Sequence, residues 1–198
     1  MKSVLWNGIF YIVAPALLLL VLRRFIYGFS ERTLRDVIPF LRRLILEDLQ
    51  NLLHPEVEDH IRATSSRQHF RTMQWKRIKL ALQYLGDLGE NAAIIHAWAQ
   101  YERKLSIQFP DPVRKHASVE LITACIQSRF SVTRMRFTLH CWLIRMAFLP
   151  FLPPPSFRTL EQRGSFDIFA LYEQMKKAAG ELSLAYGQNF YDELFQVL

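Results

Sequence analysis

Hydrophobic positions along the chain fall into two regimes. From Val4 to Leu22 they are nearly continuous: only Asn7, Gly8 and Pro15 interrupt a run of 19 residues that carries no charge. A helix rising about 1.5 Å per residue needs about 20 such residues to cross a hydrocarbon core of about 30 Å. The run therefore predicts a single transmembrane helix within an anchor at residues 1–27. Trp6 and Tyr11 near its start, and Tyr27 beyond its end, suit the headgroup level. Pro15 predicts a kink that local adjustment can absorb. A cleaved signal peptide is the competing reading, because Ala14-Pro15-Ala16 superficially resembles a small-residue cleavage pattern. It fits less well: the triplet lies inside the run, contains a proline, and is followed by six more apolar residues before the charged pair Arg23-Arg24.

Past residue 27 the apolar positions recur at three- and four-residue steps, and no stretch shows the strict alternation of a half-buried strand. Ser30-Glu31 predicts the start of a helix whose face is Leu34, Val37, Ile38, Leu41, Leu44, Ile45, Leu49 and Leu52, ending at His54-Pro55, with a kink or restart at Pro39. Pro55 then suits the first turn of a short helix with Glu56, Glu58 and Asp59 near its positive end. Thr64, Ser65 and Ser66 form a polar break. From Gln68 a seam of Ile78, Leu82, Leu85, Leu88, Ala92, Ile95 and Ala99 predicts another helix. Gly86 and Gly89 cost it about 1 kcal/mol each relative to alanine, so a division near Gly89–Asn91 stays open. Asp111-Pro112 predicts a capped helix start, with the helix running to Phe148 and closed by Pro150 and Pro153-Pro154-Pro155. A last helix or helix pair covers residues 166–198, with an interruption at Gly187. The fold class is thus all-α: an N-terminal transmembrane helix followed by an irregular bundle of five to seven helices over residues 28–198.

Composition sharpens this division. The chain of 198 residues is 51% hydrophobic with a net charge of +7. Without Val4–Leu22 the remainder is about 47% hydrophobic, ordinary for a globular domain, which excludes disorder and a disulfide-stapled mini-protein. Lys2 stands alone before the span, whereas Arg23, Arg24, Arg32, Arg35, Arg42 and Arg43 follow it. The positive-inside bias therefore predicts an inner- or plasma-membrane protein, N-terminus outside and helical domain cytoplasmic. The two cysteines, Cys125 and Cys141, sit in apolar surroundings and read as small core residues. Sixteen residues apart on one helix, they are about 24 Å apart and cannot bridge.

Candidate chemistry is sparse. Neither a G-x-G-x-x-G nor a P-loop pattern occurs, and the i, i+4 pairs Glu56/His60 and His116/Glu120 match no metal motif and read as surface pairs. No cofactor or metal is expected. Two charge features stand out. No acid lies between Asp59 and Asp87, where Arg62, Arg67, Arg71, Lys76, Arg77 and Lys79 interleave with His69, Phe70 and Trp75. Such a stretch is a solvated face paired with Glu47, Asp48 or Glu58, an anionic-lipid surface, or a nucleic-acid surface, in that order. No acid lies between Leu121 and Leu160 either. Within it Leu139–Leu152 is nearly all apolar around Arg145, as either the central core helix or an interfacial helix with Trp142 inserted and Arg134, Arg136 and Arg145 at headgroups. The expected function is a non-enzymatic scaffold or interaction module at the membrane, with the bilayer and another membrane or cytoplasmic protein as partners. The alternatives are a membrane-bound enzyme on a hydrophobic substrate, assembled from residues such as His96, His116, Glu120 and His140, and a membrane-tethered nucleic-acid binder.

Overall fold

The Asp111 carboxylate accepts hydrogen bonds from the backbone N–H groups of Val113 and Arg114 at 3.1 Å, and Pro112 sits in the first turn, where its missing N–H is no loss. This cap starts helix α4, Pro112–Phe148, and sets it apart from helix α3, Arg67–Gln108, by a short turn. Helix α3 is capped in turn by the Ser66 hydroxyl, which accepts from His69 N. At 1.5 Å per residue the two are about 63 and 55 Å long. They fold back on each other as a hairpin whose inner sides form the centre of the core: Ile78, Leu85, Leu88, Ala92 and Ile95 of α3, and Leu121, Ala124, Val132, Met135 and Leu139 of α4, all buried. Helix α3 passes through Gly86 and Gly89 without a break, because the buried seam continues on both sides of them and tertiary packing outweighs the local propensity cost.

A computed structural model describes residues 37–109, 111–161 and 167–198, all belonging to one compact unit. The predicted span Val4–Leu22, its flanks Trp6, Tyr11, Arg23, Arg24 and Tyr27, and the predicted helix start at Ser30 lie outside the described residues. The described residues form no strand, and none of their helices is long and apolar enough to cross a membrane. Besides the hairpin, the elements are α1 (Leu46–Leu53), α2 (Pro55–Thr64), α5 (Arg158–Glu161), α6 (Asp167–Ser183) and α7 (Gln188–Val197). Helix α6 packs Ile168, Tyr172, Met175 and Leu182 into the same core, and Ser128 Oγ on α4 donates to Leu171 O at 3.1 Å. A 3-10 turn at Leu184–Tyr186 and Gly187, at φ 111°, reverse the chain into α7. The left-handed backbone at this reversal favours glycine. Gly180 on α6 serves contact instead: a Cβ there would come within 2.4 Å of the Phe195 ring on α7.

The helix predicted to end at His54 does restart after Pro39, but later than expected, with residues 41–45 outside any helix. A 3-10 turn at Ile38–Phe40 contains Pro39, Leu41 is extended (ψ 137°), and α1 begins only at Leu46. The physical reason lies on α3. The buried Asn91 carboxamide accepts from Arg42 N at 2.8 Å and donates to Arg42 O at 2.7 Å, as a neighbouring strand would. The Arg42 guanidinium also pairs with Asp87 and with Glu90. Satisfied by α3, the Arg42 backbone groups do not need a helix.

Candidate interaction surface

The arginines of the basic stretch are engaged largely by backbone carbonyls, and Arg77 alone among its basic residues is buried. Two of its arginines supply donors to helix ends whose last carbonyls lack intrahelical partners. Arg71 donates to Met146 O and Pro150 O at the end of α4, and Arg77 donates to Leu52 O at 2.7 Å and His54 O at 3.3 Å at the end of α1. Arg67 donates to Phe151 O at 2.9 Å. Arg62 pairs with the buried Glu58 at 2.8 Å and lies over the Phe70 ring. Of the acids expected to meet this stretch, only Glu58 does so by an ion pair among the described residues; backbone carbonyls take the other arginines. Lys76 and Lys79 remain exposed, the latter over Trp75. An open cleft of about 350 Å³ beside Arg62, Ser65, Arg67 and Pro153 is bordered by these engaged arginines.

The proline segment after α4 is held by the same elements. Glu58 accepts from Phe157 N at 2.6 Å, Gln74 Nε2 donates to Pro155 O at 3.0 Å, and the Phe157 ring lies under the Arg77 guanidinium and edge-on to Trp142. Trp142, which the interfacial alternative would insert into lipid, packs half-buried against Phe157.

Helix α4 has two apolar faces, so neither fate expected for Leu139–Leu152 holds alone. One face, including Leu139 and Met146, is core. On the opposite side Phe130 (65% exposed), Phe137 (71%), Ile144 (58%) and Phe148 (78%) point to solvent, joined toward the helix start by Val119 and Ile126. Steps of seven and four residues place all six within about 20° of one line at 100° per residue. The line is about 44 Å long. Cys141 lies beside it and is exposed, which corrects its assignment to the core; Cys125 is buried, and both thiols are free. The hydroxyls of Thr123 and Thr133, also near the line, donate back to Val119 O and Arg129 O at 3.0 and 2.8 Å, leaving their methyl groups to the surface. Arg134 and Arg145 flank one side, Arg136 and His140 the other; all four are exposed, and no carboxylate among the described residues pairs with them. The sequence signal for this face was present in the seven-residue recurrence of Phe130, Phe137 and Ile144, but the core face recurs at the same period and masks it.

Groups with reactive chemistry do not converge. His116, Glu120 and His140 are exposed on α4, with His116 and His140 about 36 Å apart along the helix, while His96 is buried on α3. Glu56 and His60 are exposed as well. Among the described residues no three His, Cys, Asp or Glu side chains cluster as metal ligands. Burial pushes the Cys125 thiol up, partly opposed by Arg129, which is the reverse of an activated nucleophile. Burial, reinforced by Arg129, pushes His96 down to about 4 from its ordinary 6.5. The unfolded chain therefore takes up this proton near pH 6.5 and the folded one only near pH 4. Folding stability should fall between those values by about 3 kcal/mol and no further below them on this account. Denaturation midpoints of wild type and His96→Gln from pH 7 to pH 4 test this: the difference between the two slopes isolates His96, and parallel slopes would refute it.

Comparison with known proteins gives no match to a protein-family model, a curated protein or a solved structure.

Proposed function

We propose that the chain is a membrane-anchored, non-enzymatic interaction module. Val4–Leu22 holds it in an inner or plasma membrane with the N-terminus outside, and the helical domain presents the outer face of α4 on the cytoplasmic side. The observation that carries this reading is the exposed apolar line on α4. Its three phenylalanines alone expose roughly 400 Å², taking about 200 Å² for a full side chain. With the aliphatic residues this reaches the range in which exposed apolar patches mark interaction sites. The separation of His116 from His140 weighs against the enzyme alternative. The bonds that Arg67, Arg71 and Arg77 make to backbone carbonyls occupy part of the basic surface that a nucleic-acid binder would use.

Alkaline carbonate extraction of membranes, combined with protease treatment of sealed vesicles, tests the anchoring and the orientation. The chain is expected in the membrane pellet, with a C-terminal tag digested only from the cytoplasmic side. Release into the supernatant, or digestion from the outer side, would overturn the proposal.

A further inference from the structure

We propose that the outer face of α4 lies flat on an anionic bilayer surface, with Phe130, Phe137, Ile144 and Phe148 among the acyl chains and Arg134, Arg136 and Arg145 at the phosphates. This rests on the interaction-module reading and names the partner of its surface.

Charge decides between occupants. From Ile126 to Phe148 the apolar line is rimmed by arginines, and no acid occurs from Leu121 to Leu160; the exposed Glu120 stands only beside its Val119 end. A second copy laid on this stretch would bring arginines against arginines, where paired helices ordinarily place opposite charges. An anionic headgroup layer meets the exposed Arg134 and Arg136, and Arg145 beside them, which donates to Pro153 O at a long 3.4 Å. Chemistry along the line agrees: the Thr123 and Thr133 hydroxyls are satisfied by the helix's own carbonyls, so few polar groups on this face would lose a partner on leaving water. An apolar face of aromatic and aliphatic residues bounded by cations is the composition of an in-plane interfacial helix, which enters only to the depth of the headgroup and acyl boundary. The tether suits it too. Fourteen residues join Leu22 to Val37, a reach of at most about 50 Å, so a bilayer holding the span would always be at high effective concentration.

Cys141 supplies the probe. It is exposed beside the apolar line, whereas Cys125 is buried, so an environment-sensitive thiol fluorophore on the full-length chain reports from this face. The chain is reconstituted into phosphatidylcholine vesicles, with or without phosphatidylglycerol. On phosphatidylglycerol vesicles the emission should shift to the blue and resist an aqueous quencher, and molar salt should reverse both by screening. Arg134→Glu, Arg136→Glu and Arg145→Glu together should reduce the docking equilibrium constant by at least about 100-fold, from about fivefold for each arginine charge lost. The salt reversal needs no variant, so misfolding of the triple change cannot decide the result. Equal protection on phosphatidylcholine alone would overturn the proposal in favour of cover by an apolar segment of the chain itself. Protection that rises with protein density at fixed lipid would overturn it in favour of a second copy, while the interaction-module reading stood. A label freely quenched under every condition would overturn the lipid proposal; failure of carbonate retention would separately overturn the anchoring on which the module reading depends.

Discussion

Trp98→Ala should destabilise the helical domain by about 4 kcal/mol through the cavity it leaves. Trp98 is fully buried on α3, and its Nε1 donates to Glu102 Oε1 at 3.0 Å one turn later. The Glu102 carboxylate is itself fully buried. It also accepts from the Tyr186 hydroxyl and faces Arg114 Nε at 3.8 Å, so it ties the α3–α4 hairpin to the turn between α6 and α7. Alanine at 98 would leave a cavity the size of an indole and a buried carboxylate short of one donor. Trp98→Phe keeps most of the packing and loses only the donor, at about 1–2 kcal/mol. Urea denaturation of both variants, followed by far-ultraviolet circular dichroism in detergent micelles, separates the two contributions. Equal losses would show that the hydrogen bond, and not the filled volume, makes Trp98 important.

Arg77→Ala should cost about 3 kcal/mol, because it leaves two carbonyls at the end of α1 short of a donor and removes the packing over Phe157. Arg77 is 7% exposed. It covers the Phe157 ring, satisfies Leu52 O and His54 O, and sits in the field of the buried Glu58. Its loss would leave the end of α1 uncapped and loosen the Glu58–Phe157 tie. The damage should be local. Hydrogen exchange should quicken in residues 46–64 and 150–160 while the hairpin core keeps its protection. Arg77→Lys restores the charge without the planar fork and should recover only part of the protection. Uniform exchange across the whole domain in Arg77→Ala would contradict this placement of the side chain.

These two residues mark what the sequence reveals and what it hides. Local rules were enough for the bounds of α3 and α4, though not for their pairing as a hairpin: Asp111-Pro112 capped and started α4, Pro150 closed it, and the Ile78–Ile95 seam is the buried side of α3. Gly187 likewise broke the last helix pair where the left-handed backbone requires glycine. Wherever a distant side chain satisfied the backbone, the pattern misled. Residues 41–45 carry helical spacing, but Asn91, 49 positions on from Arg42, bonds the Arg42 backbone in an extended state. Arg67, Arg71 and Arg77 read first as a solvated face meeting acids, because charge spacing does not show that the carbonyls of other elements lie within reach. In α4 the two apolar faces share one period, so spacing alone could not say which face would find a partner; Leu139 lies in the core and Phe137, two residues earlier, does not.

That contrast gives the most direct test of the central claim, that the outer face of α4 is a surface held ready for a partner and not part of the folded core. The measurement is the unfolding free energy of the full-length chain in phosphatidylcholine vesicles without anionic lipid, where the outer face stays undocked, for Phe137→Ser and Leu139→Ala. Leu139→Ala should lose about 2–5 kcal/mol through the cavity it leaves. Phe137→Ser, at a side chain already in solvent, should stay within about 0.5 kcal/mol of wild type. A loss in Phe137→Ser comparable to that in Leu139→Ala would contradict the account, because the outer face would then be covered within the native protein itself.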